Sequence, residues 1–245
     1  AGDRQALKGK YIPHHSMERE MFAGSIISVD DRQPPFYLNK EKKRMWAYVG
    51  QDVASQAITV WVFGETKEEL ILLFYRQMVR NYYEWGICLP YELECESALN
   101  SSLKEGVLRP GNMFTHVRVE ANNARGKYIE SGFNRNVRYN KDLEKNGYGW
   151  VARPNAKDEA NQLSDEKIPI VPPATILRES QRHIEDYNNT AYPYDESLSR
   201  WDYFIQNQHP QLNPINWRGI LPHIGHERKT SCHAGIIRLK AQNGL

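Results

Sequence analysis

Four acidic residues are spaced so that they can do metal chemistry. Asp30 closes an apolar run, Gly24-Ser25-Ile26-Ile27-Ser28-Val29-Asp30, and Glu92, Glu94 and Glu96 alternate with Tyr91, Leu93 and Cys95. In a strand that alternation puts the three glutamates on one face and the apolar residues on the other. Three carboxylates in a row are costly on a buried face unless something cationic shares it. Hard oxygen ligands gathered within a few ångströms hold divalent cations, and a pair of cations about 4 Å apart supports phosphodiester cleavage. Asp52 competes with Asp30 as the first ligand: Tyr48-Val49-Gly50-Gln51-Asp52 is also a strand ending in an acid, with Gly50 permitting close backbone approach. Asp30 is favoured, because a first strand at Asp52 would leave too few strands before the long helix. Asp31 reads as a turn residue. The bland alternative is that the glutamate row is a solvated edge strand.

The elements that must carry these acids are legible from periodicity. Strands are expected over residues 24–30, 45–52 and 57–63, a helix over about 66–85, and a carboxylate-bearing strand over 87–94. Leu70, Leu73, Phe74, Met78 and Tyr82 recur at helical spacing, and Thr66 with Glu69 makes a capping-box pattern. Pro34 and Pro35 end the first strand, and Lys40-Glu41-Lys42-Lys43-Arg44 is a charged hairpin turn. A short helix over 97–105, a fifth strand over 113–120, a helix over 175–187 and a terminal helix over about 228–242 complete the reading. Residues 192–216 mix aromatics and prolines without a clear period. Between 122 and 161 the chain turns polar and basic. Arg118 just before it, and Arg125, Lys127, Arg135, Arg138, Lys141, Lys145 and Arg153 within it, interleave with Tyr128, Phe133, Tyr139, Tyr148 and Trp150. Cations neutralise phosphates and aromatics pack on sugars or unpaired bases, so this excursion suits a nucleic-acid grip; a solvated loop is the plain alternative.

Composition bounds the rest. At 245 residues one domain with appendages is expected, and a net charge of +2 makes the chain no polycation, so any attraction to nucleic acid must be local. No apolar run approaches the roughly 20 residues of a membrane span, and the N-terminus is polar rather than signal-like. Cys88, Cys95 and Cys232 are odd in number and lack CxxC spacing, which favours a reducing compartment over a disulfide framework. A start at Ala1-Gly2-Asp3-Arg4 points to a processed chain or a fragment. His223, His226 and His233 lack partners at zinc-site spacing. There is no Gly-x-Ser-x-Gly elbow, no Walker A loop and no base-reading motif.

The order strand, strand, strand, helix, strand resembles ribonuclease-H-like folds: a mixed α/β sheet of three antiparallel strands, then parallel strands, flanked by helices. With the long polar loop and the late segment Ile168-Pro169-Ile170-Val171-Pro172-Pro173 running to Glu179, most of the chain looks like the C-terminal nuclease domain of phage terminase large subunits. In that family a final helix starts with the last metal-binding acid, often beside a histidine. The matching place here is Gly225-His226-Glu227-Arg228, so Glu227 stands where the family usually has aspartate. The resemblance implies a metal-dependent endonuclease, using Mg2+ or Mn2+, that cleaves double-stranded DNA without strong sequence preference. Asp30 and Glu94 would bind the metals, Glu92 or Glu227 would complete the shell, and Arg125, Lys127, Arg135, Arg138 and Lys141 would hold the duplex. It also implies an upstream ATPase domain, a portal-type assembly, no membrane and the host-cell cytoplasm. A non-catalytic nucleic-acid-binding or assembly module on the same fold is the alternative.

Overall fold

The computed structural model describes residues 20–34, 36–96, 103–120, 128–129, 170–225, 230 and 232–237. Its centre is a five-stranded sheet of β1 (Ile26–Arg32), β2 (Trp46–Asp52), β3 (Ile58–Gly64), β4 (Glu92–Glu96) and β5 (His116–Glu120) in the order β3-β2-β1-β4-β5. β1, β2 and β3 pair antiparallel, whereas β4 joins β1, and β5 joins β4, in parallel. This order and these senses are those expected of a ribonuclease-H-like sheet. β1 runs two residues further than expected, since Asp31 and Arg32 still pair with Tyr48 and Ala47 before the prolines intervene. β4 starts later, at Glu92, because Pro90 has no N–H to give a ladder.

Helix α1 (Lys67–Glu84) covers one face of the sheet. Its buried stripe of Leu70, Ile71, Phe74, Tyr75, Met78, Val79 and Tyr82 joins Ile27, Val29, Tyr48, Val60, Val62, Leu93 and Cys95 in the main core. Gly50 is what lets the helix sit so close: a Cβ there would lie 2.9 Å from the Phe74 ring and 3.0 Å from Ile27 Cδ1. Helix α2 (Pro173–Asn188) serves the opposite face, where Ile184 and Tyr187 pack with Ala47, Val49, Ile58 and Ile129. Asn188 then closes the edge of β3, its Oδ1 accepting from the Ile58 N–H and its Nδ2 donating to the Ile58 carbonyl, both at 2.8 Å.

The aperiodic stretch after residue 190 contains a small hairpin, β6 (Ala191–Tyr192) with β7 (Asp195–Ser199), then α3 (Arg200–Gln206) and α4 (Trp217–Ile224). Ser199 and Asp202 form a reciprocal capping box on α3. Two expected helices are not found where described. Residues 103–108 form turns, and 97–102 lie outside the described residues. Near the C-terminus, Cys232–His233 (β8) and Ile236–Ile237 (β9) pair as an antiparallel hairpin instead of a helix. Ala234 (φ 50°) and Gly235 (φ 77°) are both left-handed, the two-residue turn that closes a hairpin and stops a helix. Among the described residues no helix is long and apolar enough to cross a membrane.

Candidate metal centre

Register decides which acids meet. The parallel pairing sets Ile26 beside Glu92, Ile27 beside Leu93 and Ser28 beside Glu94. Carried one alternate step onward, it brings Asp30 beside Glu96 on the same face, at the C-terminal ends of both strands. Asp30, Asp31 and Glu96 each place a carboxylate oxygen within 4.8 Å of the others, and all three are half-buried. The Asp31 N–H donates to Asp30 Oδ1 at 3.0 Å, which orients that carboxylate. Oxygens around a six-coordinate Mg2+ or Mn2+ stand about 3–4 Å apart, each about 2.1 Å from the ion. Their mutual distances of up to 4.8 Å lie slightly above that spacing, and their oxygens are the ligand type that a divalent cation takes. Lys67 Nζ lies 2.6 Å from Asp31 Oδ2.

Glu94 is placed differently. It is fully buried, and both oxygens accept from protein donors. Oε1 takes Arg118 Nη2 at 2.6 Å; Oε2 takes Ser28 Oγ at 2.5 Å and the Tyr128 N–H at 3.1 Å. Ser28 Oγ also accepts from the Ile129 N–H at 3.2 Å. Glu92 flanks the same guanidinium, 3.4 Å from Arg118 Nε. The glutamate row therefore divides three ways: Glu92 on the rim, Glu94 sealed beneath Arg118, and Glu96 beside Asp30. A buried carboxylate needs this many donors, because its charge is otherwise too costly to strip of water.

Asp52 pairs across the ladder with Ile27, three residues before Asp30 and so roughly 10 Å away along β1. It is buried and accepts from the Gly24 N–H (2.7 Å), the Ser55 N–H (2.8 Å) and Ser55 Oγ (2.6 Å). Burial outweighs those hydrogen bonds and raises its pKa to about 6. The structure thus gathers Asp30 with Asp31 and Glu96, and leaves Asp52 at the far end of the strand. Glu227 and the basic residues Arg125, Lys127, Arg135, Arg138 and Lys141 lie outside the described residues. Sequence reasoning placed Glu96 in the acidic row but chose Glu94 and Glu92 from it as ligands, and took Asp31 for a turn residue. The available signal was the period-two step from Glu94, but choosing among the three glutamates needs the β1–β4 register, which no local pattern encodes.

Sheet order and strand sense define the class: a ribonuclease-H-like α/β domain with an acidic cluster at the C-terminal ends of its first and fourth strands. No protein-family description matches the chain, and no curated protein matches it. Solved structures similar to it include a simian T-cell lymphotropic virus intasome in complex with the PP2A regulatory subunit B56 gamma. That match has 12% identity and a TM-score of 0.46, covering 83% of this chain and 61% of that one. The HTLV-2 integrase catalytic core domain in complex with magnesium is similar in its dimeric form at 12% identity and TM-score 0.45, over 76% of this chain and 99% of that one. Its trimeric form gives 12% identity and 0.42, over 78% and 100%. The chain spans about three fifths of the first of these. The fold assignment rests on the strand order itself.

Proposed function

We propose that this domain is a divalent-metal-dependent endonuclease for double-stranded DNA, the nuclease part of a terminase-type genome-packaging protein. The observation that carries the reading is the side-by-side placement of Asp30 and Glu96, with Asp31 adjoining, at the ends of two parallel strands. In this reading Asp30 and Glu96 offer the principal oxygens to Mg2+ or Mn2+, and Glu96 takes the role that the resemblance gave to Glu94. A bound cation of this kind polarises a phosphoryl oxygen and lowers the pKa of water. Asp31 orients Asp30 through its N–H, and Glu94 with Glu92 holds Arg118 over the buried end of the glutamate row. Glu227 is proposed as a further acid approaching from the C-terminal segment. Arg125, Lys127, Arg135, Arg138 and Lys141 are proposed to neutralise duplex phosphates, and an upstream ATPase domain and portal-type assembly belong to the same reading, in the host-cell cytoplasm.

A second reading, a non-catalytic nucleic-acid-binding module, draws on the sealed state of Glu94, which removes one anticipated ligand. Supercoiled plasmid with Mn2+ or Mg2+ separates them. The nuclease reading expects cutting by the wild type, loss of at least a hundredfold in Asp30→Asn and Glu96→Gln, and retained cutting in Asp52→Asn. Salt-sensitive binding without cutting under either metal supports the module.

A further inference from the structure

Away from the acidic end of the sheet, a cleft of about 170 Å3 opens where the chain enters β4 and β5. Buried Leu89, Met113 and Phe114 form its base, and exposed Asn213 and Asn216 stand at its mouth. Tyr91 lines it too, its ring stacked on His209 at 6.3 Å between centroids and its hydroxyl 3.2 Å from His116 Nε2. Among the described residues no charged side chain lines the cleft. Its polar lining is amides and a hydroxyl, and part of their hydrogen-bonding capacity is unspent. Asn216 is engaged on both atoms, accepting from the Gly219 N–H at 3.1 Å and donating to the Gly111 carbonyl at 3.0 Å. Asn112 Nδ2 donates to the Gly106 carbonyl at 2.8 Å, but its Oδ1 accepts from no described residue. The side chains of Asn213 and Thr115 bond to no described residue either.

We infer that this cleft takes one unpaired nucleobase of a single-stranded nucleic acid. Its volume is well below the roughly 300–1,000 Å3 of pockets that enclose a drug-sized ligand, so it admits one ring system. A base needs apolar contact on its faces and both donors and acceptors at its edge. The buried side chains supply the first, and the unspent amides and hydroxyl supply the second. An aliphatic side chain of a peptide would strip those groups of water and leave them without partners; a charged group would lose its own water to an uncharged lining. Positive charge stands only beside the cleft. Arg109 lies two residues before Gly111 and Arg218 two residues after Asn216; both are exposed, and neither is paired with a described acid. Guanidinium groups so placed neutralise the phosphates that flank a seated base. Tyr91 adjoins β4 and Glu96 ends it, which separates cleft and acidic cluster by roughly 15 Å along the strand. The inference adds a single-strand site to the function proposed above and does not depend on it, since no metal takes part.

The test is fluorescence anisotropy of the full chain, in chelator and without metal, on a labelled single-stranded oligodeoxynucleotide and on the same strand made abasic. The wild type is expected to bind the intact strand about tenfold more tightly than the abasic one. Asn213→Ala and Thr115→Ala shorten side chains that hold nothing described in place. Each should shrink that preference while leaving affinity for the abasic strand unchanged. Arg109→Gln combined with Arg218→Gln should weaken binding of both strands and flatten its salt dependence. Equal affinity of the wild type for the two strands overturns the inference, and so does a preference that survives both cleft variants. Shifts of the Asn213 side-chain amide resonances on adding a leucine–proline dipeptide amide, with none on adding a nucleoside monophosphate, would overturn it in favour of a peptide.

Discussion

Glu94 and Glu96 are two positions apart on the same strand face and have opposite duties. Glu94 satisfies Arg118, Ser28 and the backbone of Tyr128 from a fully buried position. Replacing it by alanine strands those donors, and a lost buried acceptor of this type costs about 2–4 kcal/mol. Glu96 is half-buried beside two other carboxylates, so Glu96→Gln relieves repulsion and should change stability by no more than about 0.5 kcal/mol. Urea denaturation is expected to rank Glu94→Ala far below Glu96→Gln in stability, while Mn2+ binding ranks them by the loss at Glu96. Equal stability of the two variants would mean that the buried network is not worth what its geometry implies. The existence of an acidic strand face was plain in the sequence. The partition of its members was not, because Arg118 comes from β5 and Tyr128 from beyond it, and only assembled pairing brings them together.

At the level of elements, Asp52 ties the approach to β1, through Gly24, to the turn that joins β2 and β3, through Ser55. Its pKa is raised from 3.8 to about 6 by burial, so the native state holds this proton more tightly than the unfolded chain does. The sign follows: this group's contribution to stability is greatest below about pH 4 and declines as pH rises to about 6, by roughly 3 kcal/mol. Most native carboxylates do the reverse. Stability of the wild type minus that of Asp52→Asn, followed by urea midpoints from pH 4 to 7, should fall across that window; a flat difference would show an ordinary carboxyl. Element types were largely legible in advance: α1 from its apolar stripe, the strands from alternation, α2 from Ile176 and Ile184. What local pattern missed has local reasons of another kind. The β8–β9 hairpin turns on left-handed backbone at Ala234, a conformation alanine seldom advertises. Strand β4 begins only where a partner β1 is available, after Pro90.

At the scale of the whole molecule, the sheet gives the chain two unlike ends. The cluster of Asp30, Asp31 and Glu96 lies where the parallel strands finish, the end at which open α/β sheets commonly present their ligands. With a net charge of only +2, attraction to DNA in the proposed function must come from the concentrated basic stretch of residues 122–161. Substituting Arg135, Arg138 and Lys141 together by glutamine should weaken duplex binding to a similar degree for unrelated sequences. It should also flatten the dependence of log affinity on log salt by about one unit for each phosphate no longer neutralised. Fluorescence anisotropy over a salt series measures both; an unchanged slope would take these residues off the duplex.

The strands bearing Asp30 and Glu96 are interior to the sheet, each with a neighbour on both sides. The main-chain pairing between them runs to Ser28 and Glu94, two residues short of the carboxyls, so it fixes the course of the two backbones that carry these acids. Remodelling the margins of the sheet therefore leaves the spacing of these two backbones to the paired residues that precede the acids.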